Sequence, residues 1–63
     1  MTTEDFQKLR PGERVRDKFG NLRGTVKFVA QTERKITVIS WDEWPQDARF
    51  DVGDAWMLGC LRP

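Results

Sequence analysis

Five basic side chains between residues 14 and 27 are the part of this sequence best suited to bind phosphate. The set is Arg14, Arg16, Lys18, Arg23 and Lys27. Arg14 and Arg16 are two residues apart in a stretch that alternates like a strand, so their side chains point to the same side. Each phosphate engaged by such a side chain releases counterions, so binding to a nucleic acid would weaken as salt rises. The alternative interpretation is a solvated charged face that protects the strands from edge-to-edge association.

Four aromatic side chains form a second candidate set for binding a partner: Phe19, Trp41, Trp44 and Phe50. Phe19 is placed at the tip of a loop, where its ring could stack on a base. Trp44 follows two acidic residues and precedes Pro45, which predicts an exposed ring in a loop. A cage for a cationic ligand needs about three rings and usually a nearby acid, which Asp42, Glu43 or Asp47 could supply. The alternative is that Trp41 is half-buried and that Phe50 belongs to the core.

The sequence lacks the residues on which most enzyme active sites and metal sites depend. The 63 residues include no histidine and one cysteine, Cys60, so the commonest general base and metal ligand are missing. We expect Cys60 to be a small buried hydrophobe, and a single cysteine excludes a disulfide framework. The acidic residues match no calcium-loop spacing and are interpreted as loop and turn residues. We therefore expect no cofactor, no metal and no enzymatic activity.

The charge is distributed unevenly along a chain whose formal net charge is +1. Residues 1–35 contain nine basic and five acidic side chains, whereas residues 36–63 contain two and five. No apolar run approaches the roughly 20 residues that a membrane span requires. The first residues are polar and acidic rather than signal-like, so the sequence predicts a cytoplasmic protein without membrane contact.

The pattern of apolar residues and turn residues predicts an all-β domain over residues 1–63. Residues 1–10 are predicted to form one helical turn, capped by Thr2 or Thr3, that buries Phe6 and Leu9 over one end of a barrel. Strands are predicted over residues 13–17, 24–31, 35–41, 48–52 and 58–61, with a helical turn over residues 53–57 before the last strand.

Details within these elements are predicted from the turn residues and from strand alternation. Gly20 and Asn21 are predicted to form a tight reversal, and Gly24 to allow a close backbone approach. Val26 and Phe28 are predicted to share one face of the second strand. Trp56 is predicted to lie in the core.

Five short strands separated by glycine, proline and polar turn residues resemble a small SH3-like barrel of the KOW and Tudor type, over roughly residues 9–62. The shared marks are Gly12 with Val15, Gly20 in the first loop, and Gly24 with Val26. The resemblance implies a non-catalytic binding module.

Two further resemblances lie within that frame. Residues 39–45, with Trp41 and Trp44, resemble the chromo-barrel stretch that builds an aromatic cage for methylated lysine. Residues 12–18 and 24–26 resemble the opening strands of type II (plasmid-type) dihydrofolate reductase, a family whose active-site strand carries Val-Gln-Ile-Tyr. This chain has Arg49-Phe50-Asp51-Val52 in that strand and no tyrosine.

The sequence therefore favours a binding module that contacts nucleic acid, or a protein of the transcription or translation machinery, through its basic hairpin. One alternative is an NADPH-dependent enzyme similar to type II dihydrofolate reductase, which would have to be a homotetramer. Another is an adaptor that binds a peptide or a modified lysine in an aromatic cage. The sequence leaves the oligomeric state open.

Overall fold

The computed structural model describes residues 1–19 and 22–60, with Cys60 described by its backbone. Seven elements follow one another: α1 (Thr3–Gln7), β1 (Arg14–Asp17), β2 (Arg23–Val29), β3 (Thr37–Trp41), β4 (Asp47–Phe50), a 3₁₀ helix (Val52–Met57) and β5 (Leu58–Cys60). The all-β class, the five strands and both helical turns are confirmed. The predicted reversal at Gly20 and Asn21 and the predicted burial of the Cys60 side chain lie outside the described residues.

The five strands form one antiparallel sheet in the order β4-β3-β2-β1-β5. The sheet curls into a half-barrel. Neighbours in sequence are neighbours in the sheet except for β5, which pairs with β1 through Val15 and Cys60. Short strands with a strong twist curl in this way.

The concave side of the sheet holds the hydrophobic core. Val15, Val26, Ile39 and Leu58 are each at most 1% exposed, and Trp41 is 7% exposed. Thr37 is the buried polar side chain among the described residues, and its hydroxyl donates to the carbonyl of Lys35 at 3.1 Å. Along β3 the buried residues therefore alternate with half-buried ones, as a strand with one face on the core requires.

Helix α1 and the turn that follows it add apolar side chains to this core. The Thr2 side chain accepts a hydrogen bond from the Asp5 N–H at 3.1 Å and so caps the helix. Phe6 and Leu9 are three residues apart and both are buried, at 1% and 7% exposure. The Met1 ammonium group donates to the carbonyls of Ala55 and Leu58, which connects the residues before α1 to the 3₁₀ helix and to the start of β5.

The 3₁₀ helix overturns the prediction that Trp56 is a core residue. Side chains three residues apart share one face of a 3₁₀ helix, and here Ala55 is 3% exposed and Leu58, just past the helix, is 1% exposed. Val52 lies on the same face and packs against the core. Trp56 belongs to another face and is 55% exposed.

A β-bulge overturns the prediction that Val26 and Phe28 share a face. Val26 pairs with Ile39, but Phe28 pairs with Val38, so the register between β2 and β3 shifts at Lys27. The extra residue rotates the chain, and Phe28 is 58% exposed while Val26 is buried. A bulge also increases the local twist, which contributes to the curl of the sheet.

Within the described residues, no helix is both long and apolar enough to cross a membrane.

Candidate functional site

One end of the sheet brings together most of the residues that could bind a partner. Strands β1 and β3 end here, and strands β2, β4 and β5 begin here. We call this edge the loop end of the sheet, because the β1–β2 loop, residues 42–46 and the junction between the 3₁₀ helix and β5 all lie there.

Arg14, on the outer side of β1, is engaged by an acidic residue. Its guanidinium donates to both carboxylate oxygens of Asp42, at 2.8 and 2.6 Å, and to the hydroxyl of Thr25 at 2.7 Å. The hydrogen bonds from Arg14 hold the pKa of Asp42 below its ordinary value, with a smaller contribution from the charge of Arg23. In return, the hydrogen bond to Asp42 raises the pKa of Arg14. This cation is already paired within the chain.

Lys27, at the bulge of β2, is also paired. Its ammonium group lies 3.0 Å from a carboxylate oxygen of Asp47, the first residue of β4. Two of the five cations predicted to bind phosphate are therefore already engaged by acidic residues of the chain's second half.

Arg16 and Arg23 remain available. They are direct partners across the β1–β2 ladder, and both side chains are exposed on the outer face. The Asp17 N–H donates to the Leu22 carbonyl, which places the Arg16–Arg23 pair at a position without hydrogen bonds of its own. Side chains are closest at such positions, with Cβ atoms about 4.5–5.5 Å apart. Neither guanidinium has a hydrogen-bond or ion-pair partner among residues 1–19 and 22–60.

Gly59 of β5 makes room for the Arg16 side chain. It lies opposite Arg16 in the sheet, and a Cβ atom added at this position would be 2.9 Å from Arg16 Nε and 3.2 Å from Arg16 Cγ. The arginine side chain therefore lies across β5.

Lys18 continues the line of cations past the end of β1. Its N–H donates to the Met57 carbonyl at 2.7 Å, and its ammonium group lies 5.8 Å from the centre of the Trp56 ring. This is the distance of a cation–π contact. Arg16, Lys18 and Arg23 together are called the basic strip below.

The predicted aromatic set divides into buried and exposed rings. Trp41 is 7% exposed and lies edge-on to the half-buried Phe50, with ring centres 6.0 Å apart at 85°. These two rings are part of the core and its margin. Trp44 is 58% exposed, as predicted, and Phe19 is 70% exposed. The rings expected to form a cage are therefore not presented together on the surface.

Residues at the end of β4 and just after it stabilise the fold by packing, helix capping and an ion pair. Phe50 packs on Trp41, and Asp51 caps the 3₁₀ helix by accepting from the Gly53 N–H at 2.8 Å. Asp51 also binds Arg34, at 2.8–2.9 Å, and hydrogen bonding from Arg34 lowers the pKa of Asp51. Of the four residues that stand where the reductases carry their active-site strand, Arg49 is the exposed one, and its side chain has no hydrogen-bond or ion-pair partner within the described part of the chain.

Trp56 is the surface residue that sequence reasoning missed. The signal was present in the spacing of Val52, Ala55 and Leu58, which are three residues apart. A period of three indicates a 3₁₀ helix whose apolar side excludes residue 56. Among the described residues, no group of three or more acidic, cysteine or histidine side chains is arranged to hold a metal ion.

No protein-family model, no curated protein and no solved structure matches this chain.

Proposed function

We propose that this protein is a nucleic-acid-binding module and that its basic strip contacts the phosphate backbone. The observation that carries the proposal is the direct pairing of Arg16 with Arg23 across β1 and β2, with neither guanidinium in a hydrogen bond or ion pair with another described residue. Arg16 extends over Gly59 of β5, on the side of β1 away from Arg23, so the two cations are spread across the outer face of β2, β1 and β5. A phosphate backbone crossing these strands would contact both.

The chemistry of the strip suits phosphate. A guanidinium offers planar paired donors that match a phosphate group, and a lysine adds a point charge. Asp42 and Asp47 are already bound by Arg14 and Lys27, so they are less able to neutralise the strip. Contacts to phosphate carry no sequence information, so we expect a strip that binds the backbone to show little sequence preference.

The resemblance of the glycine and valine marks to KOW and Tudor modules is consistent with this proposal. Such a module would act in the cytoplasm, either on nucleic acid itself or within the transcription or translation machinery. The proposal commits to nucleic acid, and a protein partner is the alternative outcome of the test.

The test is the salt dependence of binding to a labelled oligonucleotide, measured by fluorescence anisotropy. Arg16→Ala with Arg23→Ala should weaken binding at low salt. For a single strand, the slope of log K against log salt should fall by about 0.7 for each phosphate that the variant no longer neutralises. The fold should survive, because exposed charges contribute little to stability.

A charge-matched control is available in Arg10→Ala with Arg49→Ala. Both residues are exposed and neither belongs to the basic strip. This control changes the net charge equally, so it should leave the slope close to that of the unaltered protein. If both double variants lost the same affinity and salt slope, the effect would be one of net charge and not of the basic strip. Absence of binding to any nucleic acid at low salt would reject the proposal and favour a protein partner.

A further inference from the structure

Exposed aromatic rings accompany the basic strip. Among the described residues, four large apolar side chains are more than half exposed: Phe19 at 70%, Phe28 at 58%, Trp44 at 58% and Trp56 at 55%. All except Phe28 belong to the connections at the loop end of the sheet. Trp44 follows β3, and Trp56 precedes β5, so the two tryptophans stand at opposite sides of the β2–β1 pair that carries the arginines.

The Trp56 ring is held outward by a well-anchored backbone. Asp51 and Asp54 form a reciprocal capping box at the start of the 3₁₀ helix. The Asp51 carboxylate accepts from the Gly53 N–H at 2.8 Å, and the Asp54 carboxylate accepts from the Asp51 N–H at 3.1 Å. Ala55, the residue before Trp56 in this helix, is buried on the side that faces the core. The ring is therefore presented to solvent by a fixed support.

Lys18 joins this ring to the basic strip. Its ammonium group is 5.8 Å from the ring centre, and Arg16, two residues earlier, extends over Gly59 next to the same helix. A nucleotide at this position would meet an aromatic face for its base and two cations for its phosphates.

We infer that the nucleic acid bound here is single-stranded and that Trp56 is the ring on which a base stacks. This inference rests on the proposed function. In a duplex each base already stacks on its neighbours, so an exposed indole has no free base face to contact. In a single strand the base faces are available, and stacking on an aromatic side chain adds affinity without regard to sequence.

The size of the site suits a short segment. From β3 to β5 the sheet crosses three strand spacings, or roughly 14 Å. Trp44 and Trp56 lie near the two sides of this span. A strand of a few nucleotides crossing β2 and β1 would place its phosphates on Arg23 and Arg16 and one base on Trp56.

The experiment compares an oligothymidine of about 10 nucleotides, within the roughly 4–16 nucleotides that small barrel domains cover, with a duplex of the same length. We expect tighter binding to the single strand. Trp56→Ala and Trp56→Leu should each weaken oligothymidine binding by roughly 5- to 140-fold, which is the range for removal of one stacked base. Both should leave the salt slope unchanged, since the cations of the basic strip are retained.

Two further variants isolate the ring. Trp56→Phe retains an aromatic face and should recover much of the affinity. Phe28→Ala removes a ring of similar exposure that lies on the outer face beside Val38, away from the strip, and should leave binding unchanged. Thermal melting of each variant checks that the fold is retained.

The outcomes separate this inference from the proposed function. Equal affinity for single strand and duplex, or a Trp56→Ala effect no larger than that of Phe28→Ala, would overturn the stacking inference. If the Arg16 and Arg23 double variant still lowered the salt slope, the phosphate-binding proposal would stand. If the unaltered protein bound neither probe at low salt, both would be rejected.

Discussion

Gly24 of β2 lies directly opposite Trp41 of β3, and the indole occupies the space that a side chain at residue 24 would need. A Cβ atom at this position would be 2.8 Å from Trp41 Cε3 and 2.8 Å from the Ser40 carbonyl oxygen. Because one of these neighbours is backbone, rotation of a side chain cannot relieve the overlap. The glycine therefore permits the close packing of β2 on β3 that buries Trp41.

We expect Gly24→Ala to destabilise the protein by about 1–3 kcal/mol, the usual effect of overpacking a core. Urea unfolding followed by tryptophan fluorescence measures the change. Gly59→Ala is the matched control, because its added methyl group would meet the flexible Arg16 side chain, which can move. Equal losses of stability in the two variants would contradict this account of Gly24.

The tryptophans should differ sharply in their contribution to stability. Trp41→Ala removes a ring that is 7% exposed, and we expect a loss of about 3–5 kcal/mol. That is a large share of the stability of a domain this small. Trp44→Ala and Trp56→Ala remove rings more than half exposed and should each lose less than about 1 kcal/mol. Chemical denaturation of the three variants checks this order, and a reversed order would contradict the assignment of core and surface.

Acid should destabilise the fold through Asp42 and Asp51. Hydrogen bonds from Arg14 and Arg34 lower the pKa of these carboxyl groups in the folded state. Their contribution is complete above the unfolded-state pKa of about 3.9 and is lost as the pH falls through the lowered folded-state values. We expect the urea concentration at the unfolding midpoint to decrease as the pH is lowered below about 4. The decrease should be less steep in Asp42→Asn. A midpoint that rises on acidification would contradict the direction of both shifts.

Removing Asp42 should strengthen the proposed binding surface. Asp42→Asn breaks the ion pair with Arg14 and removes a negative charge that acts on Arg23. We expect tighter oligonucleotide binding and a salt slope steeper by about 0.7, because one more cation becomes available for a phosphate. Glu33→Gln removes the same charge in the loop between β2 and β3, at the other end of the sheet, and serves as control. No difference between the two variants would place Arg14 outside the binding surface.

Lys35 adopts a left-handed backbone conformation, with φ of 51°. This region is unfavourable for residues with a Cβ atom, so Lys35→Gly should raise the free energy of unfolding by up to about 1 kcal/mol. Lys35→Ala is the control, because it also loses the 2.9 Å hydrogen bond to Gln31 but keeps the backbone strain. Thermal unfolding compares them, and a Lys35→Gly variant no more stable than Lys35→Ala would argue against strain at this residue.

Local signals account for the elements that could be predicted from the sequence. The N-cap at Thr2 and the spacing of Phe6 and Leu9 act within one turn of helix, so α1 could be placed from its own residues. Alternating apolar residues and turn residues likewise indicated five strands. The exposure of Trp44 followed from its acidic and proline neighbours. Each of these inferences depends on residues a few positions apart.

The composition of the candidate site was decided by contacts between distant parts of the chain. All five basic residues of the hairpin looked equivalent in sequence, but Asp42 and Asp47 pair with Arg14 and Lys27 across 28 and 20 residues. The bulge at Lys27 moved Phe28 outward, and the docking of the 3₁₀ helix on the core left Trp56 exposed. Which charges and rings remain free depends on the strand register and on the packing of one element against another. Neighbouring residues alone do not specify either of these.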